Sequence, residues 1–171
     1  IHDQIYKDLQ EEFKPEEIAK WGAQIDDKTL SVTFIEPAIF FKANSSNVNP
    51  KFKDVLDEFF PRYIKVLQKH SDSILEVRIE GNASREWNGD PNSAEAYYYN
   101  MKLSQDRAFN VPQYVYAMPS VSSEREWLQE KLRANGASYS KANENDAASR
   151  CVEISIRRNA EKELESLVPY H

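Results

Sequence analysis

The side chains best suited to reading a ligand lie together in Tyr99-Asn100-Met101-Lys102-Leu103-Ser104-Gln105-Asp106-Arg107-Ala108. On a helix, Tyr99, Leu103 and Arg107 stand at i, i+4 and i+8 with Asn100 beside them. They make one stripe of ring, amide, apolar contact and guanidinium. A guanidinium forks onto a carboxylate through two parallel hydrogen bonds, so an arginine fixed near a strand end can read an anion. A solvated helix face with an incidental arginine is the plainer account, and only the company Arg107 keeps favours the first.

Other reactive constellations are sparse. His2, His70 and His171 lie far apart with no metal-ligand spacing, so no metal site is expected. A nucleophilic triad needs a histidine near a serine or cysteine, and His70, the one non-terminal histidine, falls at a helix end where a cation suits the dipole. Cys151 is the single cysteine, which excludes an intramolecular disulfide and leaves the redox compartment unread. With only four glycines and no Gly-rich loop after any strand, nucleotide binding of the Rossmann or P-loop type is not expected. No cofactor is implied.

The 171 residues, 40% apolar and 29% charged, suit one soluble domain with its own core. A net charge of −6 without a long Lys/Arg run argues against nucleic-acid binding. No apolar run approaches the roughly 18 residues that a bilayer span requires, and no signal peptide is expected within these residues. The chain opens at Ile1 directly on a helical pattern, as a fragment with its anchor or export signal upstream would.

The stripe needs elements to position it. Residues 1–21 read as helical, with Ile5, Leu9 and Phe13 on one face and a second turn opening at Pro15. Residues 23–26 and 29–35 flank Asp27-Lys28 as a hairpin, with Leu30, Val32 and Phe34 on the buried face. Asn49-Pro50 starts a helix to about residue 69, with Pro61 predicting a kink. Ile74 to Gly81 reads as a strand with Leu75, Val77 and Ile79 on one face. The helix carrying the stripe begins near Asn92, buries Ala96, Met101, Ser104, Ala108, Val111 and Val115, and bends at Pro112. Ser123 to Glu126 forms a capping box for a helix that stops at Asn135-Gly136, and Cys151 to Ile156 is the last strand. The order strand, helix, strand, helix, helix, strand predicts an α/β fold of α+β sandwich type, a mixed sheet with helices on one face.

Four separated segments then match one family in order: Phe40-Phe41 to Val48-Asn49-Pro50, Ile79 to Ser84, Asn100 to Ala108, and Ser149 to Ile154. Together they resemble the OmpA-like domain, the peptidoglycan-binding module shared with Pal and MotB, over roughly residues 23–158. The Asn-x-x-Leu-Ser-x-x-Arg-Ala element is the specific part. The runs at 59–63 and 80–87 are most similar to MotB-type stator subunits such as that of Zorya anti-phage systems.

The resemblance implies a groove at the end of the second strand that takes the peptide stem of peptidoglycan. Arg107 would receive a carboxylate of diaminopimelate, Asn100 and Leu103 would line the groove, and Tyr99 would add a flat wall and a hydroxyl. Ser84 stands where the family has an aspartate for the diaminopimelate ammonium, a loss of about 1–3 kcal/mol of recognition. Glu86, Asp90 and Glu95 are the acids that could replace it. Asn82 stands for the usual histidine and Cys151 for a usual arginine. Tyr97 and Tyr98 are read as cover for the sheet edge, Arg150 as a structural ion-pair partner, and Asp106 as a solvated helix charge.

The expected protein is a non-catalytic periplasmic wall anchor and not an enzyme: residues 1–22 link it to an upstream transmembrane segment, 23–158 bind peptidoglycan, and 159–171 form a charged tail. A homodimer and a membrane partner subunit go with that reading. The alternative is a degenerate OmpA-like module that binds a protein, which Ser84 favours. A wall-processing hydrolase would need paired carboxylates such as Glu86 and Asp90, whose spacing on one loop is not diagnostic.

Overall fold

The computed structural model describes residues 2–35, 41, 45–81, 89–90, 92–136 and 151–159. The amphipathic N-terminal pattern forms α1 (His2–Glu12), and Pro15 at the first helical position opens the short α2 (Pro15–Lys20). Strands β1 (Ala23–Ile25) and β2 (Val32–Phe34) pair antiparallel. Then follow α3 (Pro50–Gln68), β3 (Ile74–Gly81), α4 (Ala94–Tyr116), α5 (Arg125–Lys131), β4 (Leu132–Gly136) and β5 (Val152–Arg158).

The strands form one mixed sheet in the order β1-β2-β5-β3-β4. β5 runs antiparallel to both β2 and β3, whereas β4 runs parallel to β3, with Gly81 opposite Gly136. Val32, Phe34, Val77, Ile79, Val152 and Ile154 are buried on one face. They share a core with Phe52, Leu56, Phe59 and Phe60 of α3 and Val111 and Val115 of α4. Ile5 and Leu9 of α1, with Phe13 and Trp21, are buried in the same core. The mixed sheet with packed helices agrees with the α+β expectation.

Several local expectations are corrected. β2 begins at Val32 rather than residue 29, because Asp26 Oδ1 accepts from the Lys28 and Thr29 amides and Leu30 turns to φ 62°. A non-glycine residue rarely adopts that region, and burial of the Leu30 side chain offsets the strain. Leu75 is exposed, not buried with Val77 and Ile79. The register against β5 shifts between Ile74 and Glu76, and this bulge rotates Leu75 outward while Ile74 packs inward.

The last helix does not extend to Asn135-Gly136. It ends at Lys131, and Leu132–Gly136 is the edge strand β4, with Arg133, Ala134 and Asn135 exposed. The capping box is not formed either: residues 119–124 make a 3₁₀ turn, and the Ser123 hydroxyl bonds to Glu124 instead of an amide. Asn49 does cap α3, accepting from the Lys51 amide at 3.1 Å, and both α3 and α4 continue through Pro61 and Pro112.

Candidate functional site

Ser93 starts α4 by accepting from the Ala96 amide at 3.1 Å, and the helix then carries the whole Tyr99–Arg107 stripe. Its approach to the sheet is set by glycine. A Cβ on Gly81 would lie 2.6 Å from the Ser104 carbonyl oxygen and 2.9 Å from the Ala108 amide nitrogen. A Cβ on Gly136 would lie 2.5 Å from the Gln105 amide nitrogen. Small residues at 104 and 108 and glycines at the ends of β3 and β4 therefore let the middle of α4 touch the sheet backbone. This contact fixes the stripe beside the C-terminal end of β3.

Tyr99, Asn100, Leu103 and Arg107 come together on α4 as expected, but they lie deeper than an open groove requires. Asn100 is fully buried, and its Nδ2 donates to the Ala96 carbonyl at 2.9 Å. Leu103 is nearly buried and Tyr99 half-buried. Arg107 is 0% exposed; its Nε–H donates to the Ser45 carbonyl at 2.9 Å, and its Cζ lies 5.1 Å from the centroid of the Phe41 ring. Phe41 and Ser45 thus pack against the guanidinium. One turn along, Asn110 Nδ2 donates to the Ser46 carbonyl at 2.8 Å, so two α4 side chains hold consecutive carbonyls.

Sequence reasoning missed Ser45, Ser46 and Asn110. The backbone acceptors leave no mark in side-chain identity, but Asn110 lies three residues after Arg107 on the same helix face and was findable by spacing. Asn82 and Ser84, along with Glu86 and Arg150, lie outside the described residues. Asp90 is committed to the start of α4, accepting from the Asn92 amide through Oδ1 and from the Ser93 hydroxyl through its carbonyl. Glu95 is exposed in the first turn. Asp106 pairs with Lys102 at 2.7 Å on the surface. Tyr97 and Tyr98 do not cover the sheet edge; they are 45% and 68% exposed, with ring centroids 6.0 Å apart.

Beyond Asn110 the same helix lines a polar cleft with Asn47, Val48, Lys53, Gln113 and Tyr114. Tyr114 donates its hydroxyl to Asp57 at 2.7 Å, and its pKa is pushed up to about 12, first by burial and then by Asp57 and Asp54. It therefore stays a neutral donor. Among the described residues no group of three or more His, Cys, Asp or Glu side chains could hold a metal ion, and no helix is long and apolar enough to cross a membrane.

No protein-family model matches the chain. The Zorya protein ZorB of Escherichia coli (strain ATCC 8739) is 40% identical over 173 residues, covering 96% of this chain and 72% of that protein. A MotB-like protein from Desulfovibrio vulgaris superposes with a TM-score of 0.61 at 18% identity, over 92% of this chain and 94% of that one. The cell wall anchor of the T6SS from Pseudomonas aeruginosa gives 0.58 at 20% identity, over 93% and 100%. The periplasmic domain of Helicobacter pylori MotB gives 0.53 at 14%, over 85% and 94%. These likenesses establish the OmpA-like, MotB-type fold, and the sequence identity carries further: the chain belongs to the family of the Zorya protein ZorB.

Proposed function

We propose that this chain is the periplasmic wall-binding part of a stator-type membrane protein, non-catalytic, anchoring a Zorya-type anti-phage assembly to peptidoglycan. The observation that carries the reading is the stripe itself: Tyr99, Asn100, Leu103 and Arg107 are gathered on α4 beside the end of β3. Family membership and a fold shared with a named wall anchor support it.

In this reading the guanidinium of Arg107 receives a carboxylate of the diaminopimelate stem peptide, where a forked pair gives both charge and direction. Asn100 and Leu103 support the walls, Tyr99 closes one side, and Asn82 and Ser84 are proposed as further ligand contacts. Because Arg107 is covered, the packing against Phe41 and Ser45 has to open before a carboxylate arrives, so recognition includes a conformational step. Residues 1–22 approach from the membrane side, 23–158 bind the wall, and 159–171 form a tail. A homodimer and a membrane-embedded partner subunit complete the proposal; sedimentation velocity tests the dimer.

Co-sedimentation with diaminopimelate-type sacculi is the direct test, using the parent chain, Arg107→Ala and Ser84→Asp. Retention of the parent and loss with a folded Arg107→Ala is the expected result. Far-UV circular dichroism separates lost binding from lost folding, and Arg107→Lys keeps the charge while removing the fork. Burial of Arg107 favours a second reading, a module of the same fold that binds a protein partner. Parent chain that stays in the supernatant, with retention gained by Ser84→Asp, would select that reading.

A further inference from the structure

Helix α4 has a second flank that the stripe does not use. At about 100° per residue, Ser104, Ala108, Val111 and Val115 face the core, Arg107 lies to one side of that line, and Phe109, Pro112 and Tyr116 lie to the other. These last three, with Leu128 of α5 and Leu132 and Ala134 of β4, line an apolar groove of about 370 Å³. Phe109 leaves 58% of its surface open to solvent there. The groove runs beside the end of the sheet: β4 pairs with β3 on one side, and no strand follows on its other side among the described residues. Arg133, Ala134 and Asn135 are exposed along it. A free strand edge is a row of main-chain donors and acceptors ready to pair with another chain.

Charge selects the occupant. Leu132, Ala134 and Gly136 stand opposite Val77, Ile79 and Gly81 on the core-facing side, so Arg133 and Asn135 stand on the other face, opposite Arg78 and Glu80. Arg78 pairs with Glu76 at 2.6 Å. Arg133 donates to the Leu132 carbonyl at 2.8 Å and has no carboxylate partner among the described residues. Like charges directly opposed across two strands are unfavourable, and a carboxylate brought beside Arg133 offsets that cost. At the groove's other end Arg125 stands 5.5 Å from the Tyr116 ring centroid, again with no carboxylate partner among the described residues. The acids of α5, Glu126 and Glu130, are exposed on the side of that helix away from buried Leu128. A second copy of this chain would bring another Arg133 and no acid on β4, which disfavours self-pairing of this edge.

We propose that β4 and this groove are a docking site for an extended segment of another polypeptide, one that alternates apolar and acidic residues. The segment adds a strand to the sheet. Main-chain bonds to β4 hold it, apolar side chains at every second position enter the groove, and the acids between them meet Arg133. The inference goes beyond wall binding, because this flank is separate from Arg107 and serves whichever ligand Arg107 takes.

The test is a titration of the isotopically labelled chain with a synthetic peptide of about six residues alternating valine with glutamate, beside the same peptide with lysine for glutamate. Expected are shifts and slowed hydrogen exchange at the amides of residues 132–136 with the glutamate peptide, and binding of the lysine peptide about 10-fold weaker. Phe109→Ala should weaken binding about 10-fold by removing a groove wall, and Arg133→Glu should reverse the preference between the two peptides. Both positions are exposed, so folding should persist. Arg133→Glu should also leave sacculus co-sedimentation at the parent's level, which separates this site from the Arg107 stripe. Amides of residues 132–136 left unmoved by the glutamate peptide, or equal binding of the two peptides, would overturn the proposal. The same amides shifting with chain concentration alone would assign the edge to a second copy and overturn it equally.

Discussion

Two arginines mark two ways of holding a cation in this fold. Arg62 of α3 sits between the N-terminal helices, donating through Nε to Glu12 Oε1 at 2.8 Å and through NH2 to the Glu12 carbonyl at 2.6 Å. It also bonds to both carboxylate oxygens of Glu17 and stands over the rings of Phe13 and Trp21. A third of its side chain remains exposed, at 34%. Arg107 is wholly buried, with a backbone carbonyl and the Phe41 ring among its contacts. The first arrangement explains itself as a bolt joining α1 and α2 to α3. The second places a charge where a hydrophobic side chain of similar volume would serve packing as well, so its proposed role in binding is the part of the comparison open to test.

Arg107→Ala should show the largest effect, a loss of about 3 kcal/mol in urea unfolding, from emptied volume and an orphaned acceptor at Ser45. Arg107→Met sharpens the contrast, since it fills the space without the charge. Stability near that of the parent, together with lost sacculus binding, would assign the guanidinium to ligand; a loss as deep as that of alanine would make Arg107 a second structural bolt. Gly81→Ala should cost about 1–3 kcal/mol by forcing α4 off β3, and it should weaken wall retention by displacing the stripe.

Arg62→Ala should lose only about 1–2 kcal/mol, because solvent screens its ion pairs, and it should leave binding intact. A loss of wall retention there would collapse the distinction between the two arginines. The N-terminal side also has a pH signature. The hydrogen bond from His70 holds Asp8 below its ordinary 3.8, and that from Arg62 holds Glu17 below 4.5. Lowered carboxylates contribute stability that is fully present above those ordinary values and is lost as pH falls through the folded ones. Thermal melts should therefore soften below about pH 4, and Asp8→Asn with Glu17→Gln should flatten that slope.

The smallest effect belongs to Tyr63, stacked on Phe59 with centroids 5.0 Å apart, whose buried hydroxyl has no hydrogen-bond partner among the described residues. Tyr63→Phe should be neutral or stabilising by up to about 1 kcal/mol in the same unfolding assay.

By itself the sequence determined the elements whose signals are local. Asn49-Pro50 named a helix start, Val152, Ile154 and Ile156 named a buried strand face, and the spacing of Tyr99, Leu103 and Arg107 placed them on one helix side. Tertiary structure decided the rest. Residues 132–136 read as the end of a helix, yet they form β4 because β3 offers a parallel edge and Gly136 fits against Gln105. Leu75 turned outward because a bulge, set by pairing with β5, shifted its register. Arg107 carried the polarity of a surface residue and became core, since covering it required chain from 62 residues away, at Ser45. Periodicity reports which side of an element a residue occupies; only the chain packed against that side decides whether it meets water.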